Sequence, residues 1–354
     1  MSELFGAVFS RGAAAEAVSD AAWLRAMLQV EKSIAEVAAE AGAVSAEAAE
    51  AVAEAAVPER FDLAEVAASA ARIGNPVAGV VDRLKAIVPP EHHNAVHFGA
   101  TSQDVLDTAM MLVARDAMAA IDKEFRLSLR AVFALRRGYG ETPMMGRTLL
   151  QRAAPVEFKN VLGAWINGLA AAREAVEALD FPLSYQGPVG AYAIGRDPRT
   201  KAVHRALGVR LGLKTDVTWH TARNPVVRIG AAAAEAAGAC GKVAVDVILL
   251  SQNEVGEVSE GNPGGSTSMP HKRNPVAATS ARACAARTPG LLATLYAAMP
   301  QELQRSPGLW HSEWETLSDL LRLTGSSAAW IRDCLEHLRV HPDAMRRNRE
   351  GGPV

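Results

Sequence analysis

Disulfides have no framework to work with in this chain. Its 354 residues include three cysteines, Cys240, Cys284 and Cys334, an odd and scattered set without disulfide or metal-ligand spacing. Cys240 and Cys284 fall in apolar helical sequence and read as small core residues, which suits a reducing compartment. Aromatic residues are scarce, at 5%. An excess of one charge is also lacking: 37 basic residues face 39 acidic ones, for a net charge of −2. That balance gives no electrostatic case for nucleic acid or an anionic membrane as partner. Any positive potential that attracts an acidic substrate must be local.

Long apolar runs are missing too. The most apolar stretch, Ile229 to Leu250, is interrupted by Glu235, Lys242 and Asp246, and reads as a buried helix rather than a membrane span. The N-terminus has no basic segment followed by an apolar core, so no secretory leader is expected and the cytoplasm is the expected location. No Gly-x-Gly-x-x-Gly fingerprint occurs, and no His/Asp/Glu grouping has ligand spacing; neither a cofactor nor a metal is expected.

What the chain does have is alanine, with few and scattered β-branched residues, a bias toward an all-α fold. Helical sequence is expected over 20–56, opened by Ser19-Asp20, then over 62–72 and 77–87. Gly74-Asn75-Pro76 and Pro89-Pro90 break these segments. His92 to Ser102 reads as a polar loop. From there the pattern lengthens. Leu106, Met110, Val113, Ala117, Ile121, Phe125, Leu129 and Val132 mark one face of a helix reaching about Arg137. Further helices are expected over 155–179 with Pro155 in the first turn, 198–212, 224–258, 275–299 and 307–338, with loop over 181–197. The helix from Asn224 is apolar nearly all round, so other helices, some from other subunits, should enclose it. Residues 1–102 form one expected helical domain and 103–340 a long-helix bundle. The polar stretch 342–354 is expected to fray.

The richest segment is Gly264-Gly265-Ser266-Thr267-Ser268-Met269-Pro270-His271-Lys272-Arg273-Asn274-Pro275. Glycines and small hydroxyl residues give way to cations and an amide between two prolines. That reads as a mobile loop over an anionic ligand, feeding a helix. It resembles the Gly-Ser-Ser-x-Met-Pro-x-Lys-x-Asn-Pro signature of the fumarase/aspartase superfamily. Two further segments resemble that family: His97 to Thr108, with Thr101-Ser102 before a long helix, and Gly146-Arg147-Thr148-Leu149-Leu150-Gln151 to Pro155. The family's pattern in the latter is Gly-Arg-Thr-His, so Leu149 stands where amine lyases keep an acid histidine. Gly74-Asn75-Pro76-Val77, Trp219-His220-Thr221-Ala222-Arg223, Gln301 to Ser306 and Trp310 to Trp314 resemble the family's 3-carboxy-cis,cis-muconate cycloisomerase branch. Leu303 and Asn224 depart from its usual His and Asp.

The resemblance implies a homotetramer built on long helices, with active sites shared between subunits and a small tricarboxylate as substrate. It implies proton transfer by Ser266 and charge stabilisation by Lys272. Substrate contacts would come from His97, Thr101, Ser102, Thr148, Gln151, His220, Arg223, Asn274 and Arg305. His220 is open to two readings, a ligand contact or a satisfied core histidine. Arg147 reads more readily as an ion-pair partner. Most members continue into a third helical domain, which this sequence is expected to lack. An amine leaving group needs a proton, worth roughly 10²–10⁴-fold when an acid is positioned. A carboxylate, whose conjugate acid has a pKa of about 4, does not. Leucine at 149 therefore suits making or breaking a C–O bond to a carboxylate. The alternatives are an adenylosuccinate-type C–N lyase, a sulfomuconate cycloisomerase and a non-catalytic protein on this scaffold.

Overall fold

The computed structural model describes residues 3–190 and 199–350. Residues 191–197 of the expected Gly/Pro loop, and 351–354, lie outside them. The N-terminal part is a set of short helices: α1 (Glu3–Phe9), α2 (Ala13–Ala17), α3 (Asp20–Glu40), α4 (Ala46–Ala55), α5 (Leu63–Ile73) and α6 (Pro76–Ile87). Each of the last four starts on a side chain that accepts from the first turn: Ser19, Ser45, Asp62 and Asn75. The continuous 20–56 pattern is therefore two helices. Ser45 starts a new one after the turn at Gly42, whose φ is 67°. Gly74, at φ 93°, closes α5 in the left-handed conformation.

The bundle consists of α7 (Ser102–Tyr139), α8 (Phe158–Glu177), α10 (Asn224–Leu250), α11 (Val276–Ala297) and α12 (Leu309–Glu336), with α9 (Arg199–Leu211) against α3. The apolar stripe expected on α7 is its buried face, from Leu106 and Met110 to Phe125 and Val132. Close packing of α10 on α11 depends on Gly230: a Cβ there would lie 2.6 Å from Leu295 Cδ1. No described helix is long and apolar enough to cross a membrane. All three cysteines are buried and unpaired.

Three boundaries differ from the sequence pattern. Pro155 does not open a helix; it pairs with Met145 in a hairpin of β1 (Pro143–Thr148) and β2 (Gln151–Glu157). The β-branched residues that advertise strands are nearly absent from both strands, which explains why the pattern does not show them. α10 stops at Leu250 rather than 258, and Val258–Glu260 forms β3, antiparallel to β4 (Leu338–Val340). Residues 342–350, read as frayed, form α13 (Pro342–Glu350), with Met345 fully buried and Asn348 donating to Val255 O and Glu257.

At the tip of the hairpin Leu149 and Leu150 both have positive φ, 49° and 64°. A two-residue loop requires that twist, and leucine resists it by roughly 1–2 kcal/mol per residue. Leu149 is 96% exposed. A strained, uncovered apolar tip lacks any compensation from its own chain.

Candidate active site

One end of the site is built where α7 begins. Thr101 N–H donates to Asp104 Oδ2 at 3.0 Å, and Arg305 Nη2 donates to Thr101 Oγ1 at 2.7 Å. Ser102, half-buried, is the first residue of α7. Asp104 is fully buried without a cation in contact. It accepts from Ser184 Oγ and from the backbone N–H groups of Gln186 and Gly187. Burial pushes its pKa up to about 6, opposed by these donors. The buried carboxylate thus ties the start of α7 to the 184–187 segment.

His97 has a φ of 60° and sits before this turn. Its backbone N–H and Nδ1 both meet the fully buried Glu31 of α3, at 3.0 and 2.5 Å. Burial alone would lower its pKa, but Glu31 reverses the direction and raises it. With Nδ1 committed to Glu31, Nε2 is the nitrogen left for a ligand.

Arg223, expected to fork a substrate carboxylate, has no exposed surface. Asp107 takes Nη1 and Nη2 at 2.8 and 2.9 Å, and Glu313 takes Nε and Nη2 at 3.0 and 2.6 Å. The guanidinium also lies 4.7 Å from the centre of the Trp219 ring. Trp310 Nε1 donates to Asp107, and Gln301 Nε2 to Glu313. Every direction around the cation is occupied, so Arg223 braces the site rather than facing a ligand. Burial pushes Glu313 up to about 7 despite Arg223. Arg305 remains exposed beside Thr101 and is the arginine free to meet a carboxylate.

His220 is 5% exposed, and Gln103 Nε2 donates to its carbonyl at 2.6 Å. Its neighbour Thr221 donates to Leu303 O at 2.9 Å, joining this segment to the one that carries Arg305.

The other expected residues lie elsewhere. In the 264–275 loop, Gly264 and Asn274 pair through two 2.8 Å backbone bonds, closing its base. Ser266 Oγ accepts from Met269 N–H at 3.1 Å, and Asn274 Nδ2 donates to Gly265 O at 2.9 Å. Lys272 is exposed, with no ion-pair partner among the described residues. Glu260, buried, receives the N–H groups of Ala277 and Ala278 and so fixes the loop to the start of α11. Thr148 and Gln151 face each other across the hairpin tip, and Arg147 anchors that hairpin on Glu257 at 2.8 and 2.9 Å.

Glu257 follows the C-terminal end of α10, whereas Arg223 precedes its N-terminus. Its 27 residues at 1.5 Å each separate the two ends by about 40 Å. His97, Thr101, Ser102, His220 and Arg305 gather at one end of the bundle. The Ser266 loop is fixed at the other, with the anchor of the Thr148–Gln151 hairpin. A single chain does not assemble them.

Several residues that build this site were not singled out in the sequence: Glu31, Gln103, Asp104, Asp107, Gln186, Glu257, Glu260 and Glu313. Asp104 and Asp107 do leave a trace, as carboxylates on a helical face that otherwise buries Leu106, Met110 and Val113.

The fold defines a class of protein, an all-α lyase bundle. Residues 5–290 match the family described as Lyase, and the chain belongs to this fumarase/aspartase family. It is 41% identical to nitrosuccinate lyase of Streptomyces davaonensis, over 96% of this chain and 75% of that one. It is 38% identical to 3-carboxy-cis,cis-muconate cycloisomerase of Pseudomonas putida, over 98% of this chain and 84% of that one. The crystal structure of 3-carboxy-cis,cis-muconate lactonizing enzyme from Pseudomonas putida superimposes with a TM-score of 0.93 at 37% identity, covering 99% of this chain and 80% of that one.

Proposed function

We propose that this chain is a cytoplasmic cycloisomerase that converts 3-carboxy-cis,cis-muconate to 4-carboxymuconolactone in the degradation of aromatic compounds. The observation that carries this reading is Leu149 at the tip of the hairpin, together with likeness to cycloisomerases along nearly the whole chain. One substrate carboxylate adds its oxygen to a carbon of the conjugated system. Charge then collects on a second carboxylate as an enediolate, and a proton delivered to the adjacent carbon completes the isomerisation. No leaving group needs an acid, so leucine at 149 costs nothing. Ser266 transfers the proton and Lys272 stabilises the enediolate. Thr101, Ser102, His97 and Arg305 hold carboxylates at the opposite end of the bundle, and Thr148, Gln151 and Asn274 complete the contacts.

Because about 40 Å separates these groups within one chain, the working form is a homotetramer in which neighbouring copies bring them together. The hairpin tip is one of the surfaces covered there. Burying a leucine fully contributes about 1.5–3 kcal/mol. Leu149→Lys is therefore expected to shift light-scattering mass toward smaller species at micromolar protein. An unchanged tetramer would place the tip in solvent.

The direct test is loss of the diene absorbance of 3-carboxymuconate on incubation with the protein. A second reading, elimination from nitrosuccinate, is favoured by the 41% relative. It shares the logic at 149, since a nitro group expelled as nitrite also leaves without protonation. Turnover of nitrosuccinate but not of the muconate would decide for it. Fumarate released from adenylosuccinate would support the C–N lyase, and no turnover of any of the three the non-catalytic reading.

A further inference from the structure

Seven buried side-chain nitrogen and oxygen atoms have no hydrogen-bond partner among the described residues. Five of them belong to one connected cluster: both ring nitrogens of His220 and the amide oxygens of Gln103, Gln186 and Gln301. Gln103 donates to the His220 carbonyl; Gln301 donates to Glu313, the partner of Arg223, which itself donates to that carbonyl. Gln186 hangs on Asp104, whose Oδ1 lies 4.0 Å from His220 Nδ1. An unpartnered buried polar atom costs about 1–3 kcal/mol, so concentrating five in one place points to a ligand.

The imidazole is not a member of a His–Asp pair. A separation of 4.0 Å is too long for a hydrogen bond, and Asp104 already accepts from Thr101, Ser184, Gln186 and Gly187. The charged groups around the ring come from two helices and two loops. Asp104 and Asp107 face it from α7 and Glu313 lies in α12. Arg223 precedes α10 and Arg305 precedes α12. Burial lowers the ring's pKa to about 4; Asp107 opposes this, and Arg305 and Arg223 reinforce it. At neutral pH the ring therefore carries one N–H donor and one acceptor. Gly190, at φ 67°, lies beside the ring: a Cβ there would stand at contact distance, 3.5 Å from His220 Cβ and 3.8 Å from Gln186 Oε1.

We propose that His220 meets the substrate as an uncharged hydrogen-bond donor, its ring N–H directed at the carboxylate oxygen on which charge collects, with Arg305 as the neighbouring cation. This rests on the reaction proposed above. An imidazolium beside the enediolate could surrender its proton to it, whereas a neutral ring keeps its N–H as a donor throughout. A neutral ring strengthens its hydrogen bond as charge develops, which is the differential stabilisation that accelerates a reaction.

The test compares His220→Leu, His220→Asn and His220→Gln on 3-carboxymuconate. Loss of one such donor costs about 10²–10³-fold in kcat, so His220→Leu is expected to fall by that factor with little change in KM. The amide variants, which keep a neutral donor, should recover about tenfold or more of it, by the same donor logic. The wild-type kcat should show no imidazole limb near the ordinary histidine pKa of about 6.5. A His220→Leu kcat close to wild type, a loss confined to KM, or amide variants as impaired as leucine would each overturn the proposal. Ring ¹⁵N shifts of His220, assigned by their absence in the Asn variant, supply a second readout with tricarballylate, an unreactive tricarboxylate. Displaced ring signals at saturation are expected. Unmoved signals in the presence of measurable binding heat overturn the contact. Failure of the wild type to turn over the muconate would instead overturn the reaction, leaving the ring shifts to decide the role of His220.

Discussion

Replacing Ser266 with alanine is expected to lower kcat by about 10²–10⁴-fold, the range for losing a positioned proton-transfer group, while leaving the bundle and its assembly unchanged. The hydroxyl makes no contact on which the fold depends. It is half-buried in a loop and accepts only from the backbone N–H groups of Ser268 and Met269. The loop is held in place independently, by the Gly264–Asn274 backbone pair below it and by Glu260 at the start of α11. Stopped-flow loss of diene absorbance, with light scattering on the same sample, separates the two effects. A near-normal rate would transfer the proton-transfer role to another residue; loss of the proposed tetramer would make Ser266 part of the assembly.

The second large effect falls on stability. Arg223→Met should destabilise the fold by about 3–5 kcal/mol, because it leaves Asp107 and Glu313 buried without their shared cation. Urea titration of the variant measures this directly. The deficit should also depend on pH with a definite sign. Glu313 is already pushed up to about 7 by burial with the cation in place. A carboxyl whose folded pKa exceeds its unfolded value supports the fold when protonated and withdraws that support as pH rises through the folded pKa. The variant's deficit is therefore expected to be largest near pH 8 and to shrink toward pH 5. Arg223→Lys should rescue little, since a single ammonium cannot serve two carboxylates through a planar fork. A deficit that is flat with pH would mean that water, rather than burial, sets the charge state of these carboxylates.

Much of the fold was legible because helices announce themselves locally. Ser19, Asp62 and Asn75 cap the helices that they precede, and the stripe from Leu106 to Val132 is buried as its 3.6-residue period requires. The hairpin at 143–157 was not legible. It is held by cross-strand pairing and by Arg147 on Glu257, a residue about a hundred positions later, while its strands carry little β-propensity. The end of α10 was overrun for a related reason: β3 exists because β4 pairs with it.

Among the site residues, the Gly264–Pro275 loop and the Thr101-Ser102 turn could be found because their residue types and spacing are unusual in themselves. Arg223 shows the opposite case. A guanidinium in a family-like segment looks the same in sequence whether it faces a ligand or two buried carboxylates, and only packing distinguishes them. The chain by itself determined the helices, the caps, the loop chemistry and the missing acid at position 149, because each is written in a few adjacent residues. Tertiary structure decided that Arg223 is a brace and that the ring nitrogens of His220 have no hydrogen-bond partner among the described residues. It also separated the two halves of the site by the length of α10, because burial and distance arise only when segments far apart in sequence meet.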